Sequence, residues 1–160
     1  MTMANTTMPN DTGAAQLRPA TATDLAAVER LLAASGLPLD GVRDALPTFV
    51  VAESGGEIVG VAGLEPCGER DALLRSVAVA DAWRSRGVGR ALVTRVISDA
   101  EARGLRALYL LTTTAERYFP GFGFHTVARA DAPESVQATA EFRSACPASA
   151  TVMARKIGEA

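Results

Sequence analysis

Leu73-Leu74-Arg75-Ser76-Val77-Ala78-Val79-Ala80, running on into Asp81-Ala82-Trp83-Arg84-Ser85-Arg86-Gly87-Val88-Gly89-Arg90-Ala91-Leu92, is the stretch that decides the fold. Its first half is apolar and rich in valine and leucine, and reads as a strand. Beyond it, Val88, Leu92, Val93, Val96, Ile97 and Ala100 recur at helical spacing and draw one apolar stripe. Gly87 and Gly89 therefore stand where a strand turns into a helix. At such a point the first N–H groups of the helix lack partners within it, and the dipole presents its positive end. Small residues there let a phosphate approach the backbone. Arg84, Arg86 and Arg90 add charge beside the turn, which gives it the chemistry of a diphosphate cradle.

Spacing separates the nucleotide loops that compete for this turn. A dinucleotide-type Gly-x-Gly-x-x-Gly needs a small residue at position 92, where Leu92 stands; a P-loop needs Gly-Lys-Ser/Thr, and the only lysine is Lys156. What remains, Arg84-x-x-Gly87-x-Gly89, resembles the acetyl-coenzyme A signature of the GNAT N-acetyltransferases, Gln/Arg-x-x-Gly-x-Gly/Ala. The preceding strand, the following amphipathic helix, a second strand at Ala107-Leu108-Tyr109-Leu110-Leu111 and the Gly123-Phe124 pair follow in that family's order.

The resemblance implies an α/β fold: a mixed, mostly antiparallel central sheet with splayed strands four and five and flanking helices. It also implies acetyl-CoA as co-substrate and no metal. The pantetheine arm would lie in the opening and pair with the backbone of Val77, Ala78 and Val79, where one N–H would hold the thioester carbonyl. The turn from Arg84 through Ser85, Arg86, Gly87, Val88, Gly89 and Arg90 to Ala91 would hold the diphosphate.

Composition sets the bounds around this core. The chain has 160 residues, 48% of them apolar, enough for one domain with an adequate interior. Sixteen basic against eighteen acidic residues leave a net charge of -2, so no basic field exists to wrap nucleic acid. No apolar run reaches the roughly 20 residues of a membrane span, and the start of the chain lacks the basic and apolar parts of a signal peptide. A cytoplasmic monomer or homodimer acting on a small amine is the expectation. Residues 1–15 read as a disordered tail, 16–156 as the acetyltransferase domain and 157–160 as a second tail. Within the domain, Gln16-Leu17-Arg18 opens a strand and Thr21 to Asp24 cap a helix ending at Gly36. A short helix over 40–46 follows, then a hairpin of 47–53 with 58–64.

Acetyl transfer to an amine needs a proton acceptor and a way to receive the leaving thiolate. Glu65, at a strand end, is the candidate base, directly or through water. The GNAT pattern places a tyrosine four residues before the glycine of the Gly-Phe pair. Here that position is Phe119, and Tyr118, one residue early, is either the candidate acid or a packing or substrate contact, in which case the helix dipole or a water receives the thiolate. On an α-helix that offset turns the Tyr118 hydroxyl about 100° away. Arg75, a charge within an apolar strand, either clamps a substrate oxyanion or pairs with an acidic neighbour. Thr112 and Thr113 either bind substrate or, with Thr114, cap the next helix. His125 reads as an exposed strand residue, and Cys67 and Cys146 as small hydrophobes.

Leu73-Leu74-Arg75-Ser76-Val77-Ala78-Val79, Tyr109-Leu110-Leu111-Thr112-Thr113-Thr114-Ala115-Glu116, and Ala138-Thr139-Ala140-Glu141-Phe142 with Cys146-Pro147-Ala148-Ser149-Ala150 are further similar to the branch labelled arsenic-resistance N-acetyltransferase. That branch is itself similar to the catalytic domain of N-acetylglutamate synthases. It implies a small amino acid or amino-acid-like oxyanion as acceptor. An acetyl-CoA-binding sensor without turnover, or an acetyltransferase for peptides, are the other classes the fold allows.

Overall fold

The computed structural model describes residues 15–145 and 148–157, so Cys146 lies outside the described residues. Among the described residues seven strands form one sheet: β1 (Gln16–Pro19), β2 (Phe49–Ser54), β3 (Glu57–Cys67), β4 (Asp71–Val79), β5 (Ala107–Thr112), β6 (His125–Val127) and β7 (Thr151–Lys156), in the order β1-β2-β3-β4-β5-β7-β6. All neighbours run antiparallel except β4 and β5. Helix α1 (Leu25–Ala34) packs on one side of the sheet with α2 (Val42–Ala45). Helix α3 (Val88–Ala102) lays Val88, Leu92, Val93, Val96, Ile97 and Ala100 on the other, so its apolar stripe is buried as the periodicity requires. A third apolar cluster joins Cys67, Leu73 and Val152 to Val136 of α4 (Glu134–Gln137) and to Phe142. Among the described residues no helix is long and apolar enough to cross a membrane.

Two irregularities shape the site. Strands β4 and β5 pair only over residues 71–73 with 107–109 and then part. Opposite β3, Ala62 alone faces Ser76 and Val77, a bulge at which Ser76 takes φ 59°, a left-handed conformation uncommon outside glycine. A bulge bends its strand, and here it does so where β4 leaves β5.

The fold departs from the sequence expectations in several places. The 58–64 strand continues to Cys67, and a tight turn leads straight into β4. Residues 115–118 form a turn and Phe119–Phe122 a 3-10 helix, in place of an α-helix from Ala115. Ala15, expected at the end of a tail, is buried, and Ile157 packs against the main core with its N–H donating to the Arg106 carbonyl at 2.8 Å. Strand β7, between β5 and β6, has no strong signal in the sequence.

The start of α1 is pinned by charge. Arg18 on β1 donates from Nη1 and Nη2 to the two oxygens of Asp24 at 2.8 and 3.0 Å, and from Nε to Glu53 on β2 at 2.7 Å. The N–H of Thr21 also donates to Asp24. These bonds, that from Arg18 foremost, hold the Asp24 carboxyl at about 2, below its ordinary 3.8. A carboxyl depressed by folding stabilises the native state above its unfolded pKa and stops doing so as pH falls through the folded one. Asp24→Asn is therefore expected to cost on the order of 1–2 kcal/mol at pH 7, the partly exposed Arg18 tempering the full shift. In urea titrations the gap between the two proteins should close as pH falls from about 4 towards about 2.

Candidate active site

The parting of β4 from β5 leaves a cleft with two adjoining cavities. The outer one, about 670 Å³, runs from Val77, Ala78 and Val79 past Trp83 to Arg84, Ser85, Gly87, Gly89 and Arg90. The inner one, about 250 Å³, lies between Leu74 to Val77 of β4 and Leu110 to Thr112 of β5, with Arg75 and Glu141 among its lining residues. Leu37, Val77, Thr114, Ala115 and Tyr118 border both.

The open edge of β4 offers unpaired backbone. The N–H of Ala80 donates back to the Val59 carbonyl on β3. Since successive peptide groups of a strand alternate sides, those of Val79 and Val77 point towards the cleft. The Val79 carbonyl is on that edge too, where Arg84 Nε donates to it at 3.3 Å. No β5 residue reaches this edge, so an extended ligand can pair with it as a further strand would.

At the cleft's other end the cradle takes shape from glycine. Gly87 caps α3 with φ 87°, and the first N–H bonded back within the helix is that of Ala91, to the Gly87 carbonyl at 3.0 Å. The N–H groups of 88–90 are left for a ligand, and α3, at 15 residues, carries a full dipole behind them. An added Cβ at Gly89 would stand 3.6 Å from both the Tyr118 hydroxyl and Val79 Cγ2, so it would occupy the cradle floor without striking the fold. These features fit a diphosphate on a pantetheine arm. Arg84, Ser85 and Arg90 line the cavity, whereas Arg86 stacks over Trp83 at 4.6 Å, Val88 is buried in the core and Ala91 lies outside the lining. Any role of those three in holding a cofactor runs through their backbone.

Arg75 has no exposed side-chain surface. Its Nη1 donates to Glu65 at 2.8 Å, its Nε to Ser76 Oγ at 2.9 Å, and its Nη2 lies 3.4 Å from Glu141. The acidic neighbours expected of it are thus present, and although Arg75 borders the inner cavity its guanidinium has no surface open to it. Glu65 stands behind it, outside both cavities. Arg75→Leu strips the shared cation from two carboxylates and should lower stability by about 3 kcal/mol in a denaturant titration.

Tyr118 and Phe119 divide the labour differently from a helical register. Phe119 is buried in the main core, packed edge-on to Phe124 at 5.9 Å. Tyr118, preceding the 3-10 turn, stays 42% exposed at the neck between the cavities. Partial burial pushes its hydroxyl's pKa above the ordinary 10, with the Arg90 charge pulling the other way. Thr112 lines the inner cavity, but its hydroxyl accepts from the Ala115 N–H at 2.9 Å, a cap on the turn; Thr113 lies outside both cavities and Thr114 borders both. His125 is an exposed strand residue. Burial, with the charges of Glu65 and Asp71, pushes the Cys67 thiol up to about 12, which makes it inert packing. Glu141, buried at the inner end, carries no mark of a site residue in the sequence. Ser35, Leu37 and Pro38, from the loop after α1, carry none either, because only tertiary packing brings them to the cleft.

Comparisons with known proteins agree with this architecture. The model of the Acetyltransferase (GNAT) family matches residues 17–124. N-acetylglutamate synthase from Neisseria gonorrhoeae, solved with coenzyme A and N-acetyl-glutamate, superposes with a TM-score of 0.78 at 21% identity. That match covers 98% of this chain but only 38% of the synthase, so the chain corresponds to one part of that protein. Rv2747 from Mycobacterium tuberculosis, solved in complex with CoA, gives 0.77 at 22% identity, covering 89% of this chain and 99% of that one. Ard1 from Thermoplasma volcanium gives 0.71 at 23% identity, covering 91% and 99%.

Proposed function

We propose, since the chain belongs to the GNAT acetyltransferase family, that it is an N-acetyltransferase moving the acetyl group of acetyl-CoA to the amine of a small amino-acid-like acceptor. The observation that carries this is the meeting of the two cavities at Val77 and Tyr118. The outer one has the backbone edge and diphosphate cradle for the donor. The inner one, about 250 Å³ and bordered by the Glu141 carboxylate beside Arg75, has the size of a small amino-acid-like acceptor.

In this mechanism the β4 edge orients the thioester, and a Val77 or Val79 N–H stands ready for the oxyanion that forms as the amine attacks. Tyr118 supplies a proton at the leaving sulfur, helped by a hydroxyl that remains protonated well above neutral pH. Arg75, ion-paired with Glu65 and Glu141, positions the Glu141 carboxylate at the acceptor cavity. Among the described residues no cluster of His, Cys, Asp or Glu could hold a metal, and no step here calls on one. Glu65, the candidate base of the sequence, lies outside both cavities and would act only through water.

A thiol-release screen with acetyl-CoA across amino acids, phosphinic and arsenical analogues, polyamines and peptides tests the acceptor class. Release with small amino acids or their oxyanion analogues, and none with peptides, is the expected outcome. Release with peptides alone would assign the protein to the other acceptor class.

A further inference from the structure

We infer that Glu141 receives the acceptor's ammonium group and takes its proton before acetyl transfer. This rests on the inner cavity being the acceptor site, and it names the residue that makes the nucleophile. Two carboxylates share one guanidinium, with Glu65 at 2.8 Å and Glu141 at 3.4 Å, but only Glu141 lines the cavity. Its side chain is 6% exposed. Among the described residues the Arg75 nitrogen beside it, Nη2, makes no hydrogen bond, and its contact with Glu141 is an ion pair. A small molecule entering this corner therefore meets a buried carboxylate that is not tied up by a hydrogen bond from Arg75.

The acceptor's ammonium group donates to Glu141. The corner carries two negative charges against one positive, which favours a cationic group over a second anion. The backbone that presents Glu141 is a one-turn π-helix, Glu141–Ala145, and is held from both sides. The Phe142 side chain sits in the third apolar cluster, and the Phe142 N–H donates to the Thr139 hydroxyl at 3.4 Å. Such π-turns recur where a side chain must be aimed at a functional site.

Burial explains the chemistry. An ammonium and a carboxylate enclosed by Leu110, Leu111 and Phe119 are poorly hydrated, and moving one proton converts two buried charges into a neutral pair. The amine then has a free lone pair. Its nitrogen forms the C–N bond at the thioester carbonyl and the C–S bond breaks. The second proton lost by nitrogen ends on the sulfur by way of Tyr118, and the first leaves Glu141 for solvent with the acetylated product.

The test compares wild type, Glu141→Gln and Glu141→Asp on two nucleophiles: the best L-amino acid of the thiol-release screen and its α-aminooxy counterpart, whose nitrogen is mostly unprotonated at neutral pH. Coenzyme A affinity by calorimetry reports folding. Glu141→Gln is expected to lose about 10²–10³ in kcat/KM on the amino acid and less than about tenfold on the aminooxy acid, the range of a lost proton acceptor. Glu141→Asp should recover part of the first loss. Equal losses on both nucleophiles, or almost none on either, would overturn the role of Glu141 while leaving the acceptor site in place. If Glu141→Gln fails to bind coenzyme A, the ratio between nucleophiles is read from Glu141→Asp: a larger loss on the amino acid supports the role, and equal losses overturn it. Wild-type protein that acetylates no small amine would overturn the acceptor site and this inference together.

Discussion

Gly89→Glu is expected to lower acetyl-CoA affinity by at least about a hundredfold, roughly 3 kcal/mol, without unfolding the protein. The two halves of this expectation come from different observations. The fold tolerates a Cβ at position 89, because the nearest atoms, the Tyr118 hydroxyl and Val79 Cγ2, stand at 3.6 Å, ordinary van der Waals contact. The cradle does not tolerate the rest of the side chain. It would extend from the first turn of α3 into the space above the free N–H groups of 88–90, setting a carboxylate where the diphosphate must come. Gly89→Ala separates the terms, since it adds the Cβ without the charge and should cost less than about tenfold. Calorimetry with acetyl-CoA, beside a thermal melt for each variant, checks both.

Tyr118→Phe is expected to lower turnover by about 10²–10⁴ while leaving acetyl-CoA affinity within a few-fold of wild type. The hydroxyl stands at the neck between the two cavities, the proposed donor and acceptor sites, and its deletion removes no core contact, because Phe119 and Phe122 pack on the ring. The raised pKa places the loss on a proton donor that is intact through the neutral range, so the deficit should be nearly constant from pH 6 to 8, about two units or more below the ordinary tyrosine value. A loss under about tenfold would leave Tyr118 as a wall of the cleft and assign thiolate protonation to solvent.

The register of Tyr118 illustrates how far the sequence carries. Spacing to Gly123 identifies Phe119 as the residue in the tyrosine position of the GNAT pattern, and α-helical geometry then turns Tyr118 away from the sulfur. The chain makes no α-helix there. A turn over 115–118 runs into a 3-10 helix, and the two aromatic rings exchange faces, Phe119 inward and Tyr118 to the cleft. Backbone class in a four-residue segment depends on packing that local sequence does not encode. The strand-turn-helix over 73–102 is legible for the opposite reason: a strand, two glycines and a helical stripe are local patterns, and each is required by backbone geometry at one place.

Glu141 and β7 mark the other limit. The Thr151–Lys156 strand is short and mixed in polarity, and it is defined by insertion between β5 and β6 rather than by alternation. Glu141 becomes meaningful only when the C-terminal turn closes over β4 and sets its carboxylate 3.4 Å from Arg75. The isolated arginine in an apolar strand does announce that a partner is needed. Which acid answers, and that two do, follows from the fold alone.

Single-turnover acetyl transfer tests the central claim most directly. Enzyme in excess over acetyl-CoA is mixed with the best small amino acid of the screen, and free thiol and N-acetylated product are quantified together. The expected result is one thiol and one N-acetyl amino acid per acetyl-CoA, with no thiol when the amine is omitted. Acetyl-CoA that binds but survives every small amine, or thiol released at the same rate with and without one, would contradict the assignment of this cleft to amine acetylation.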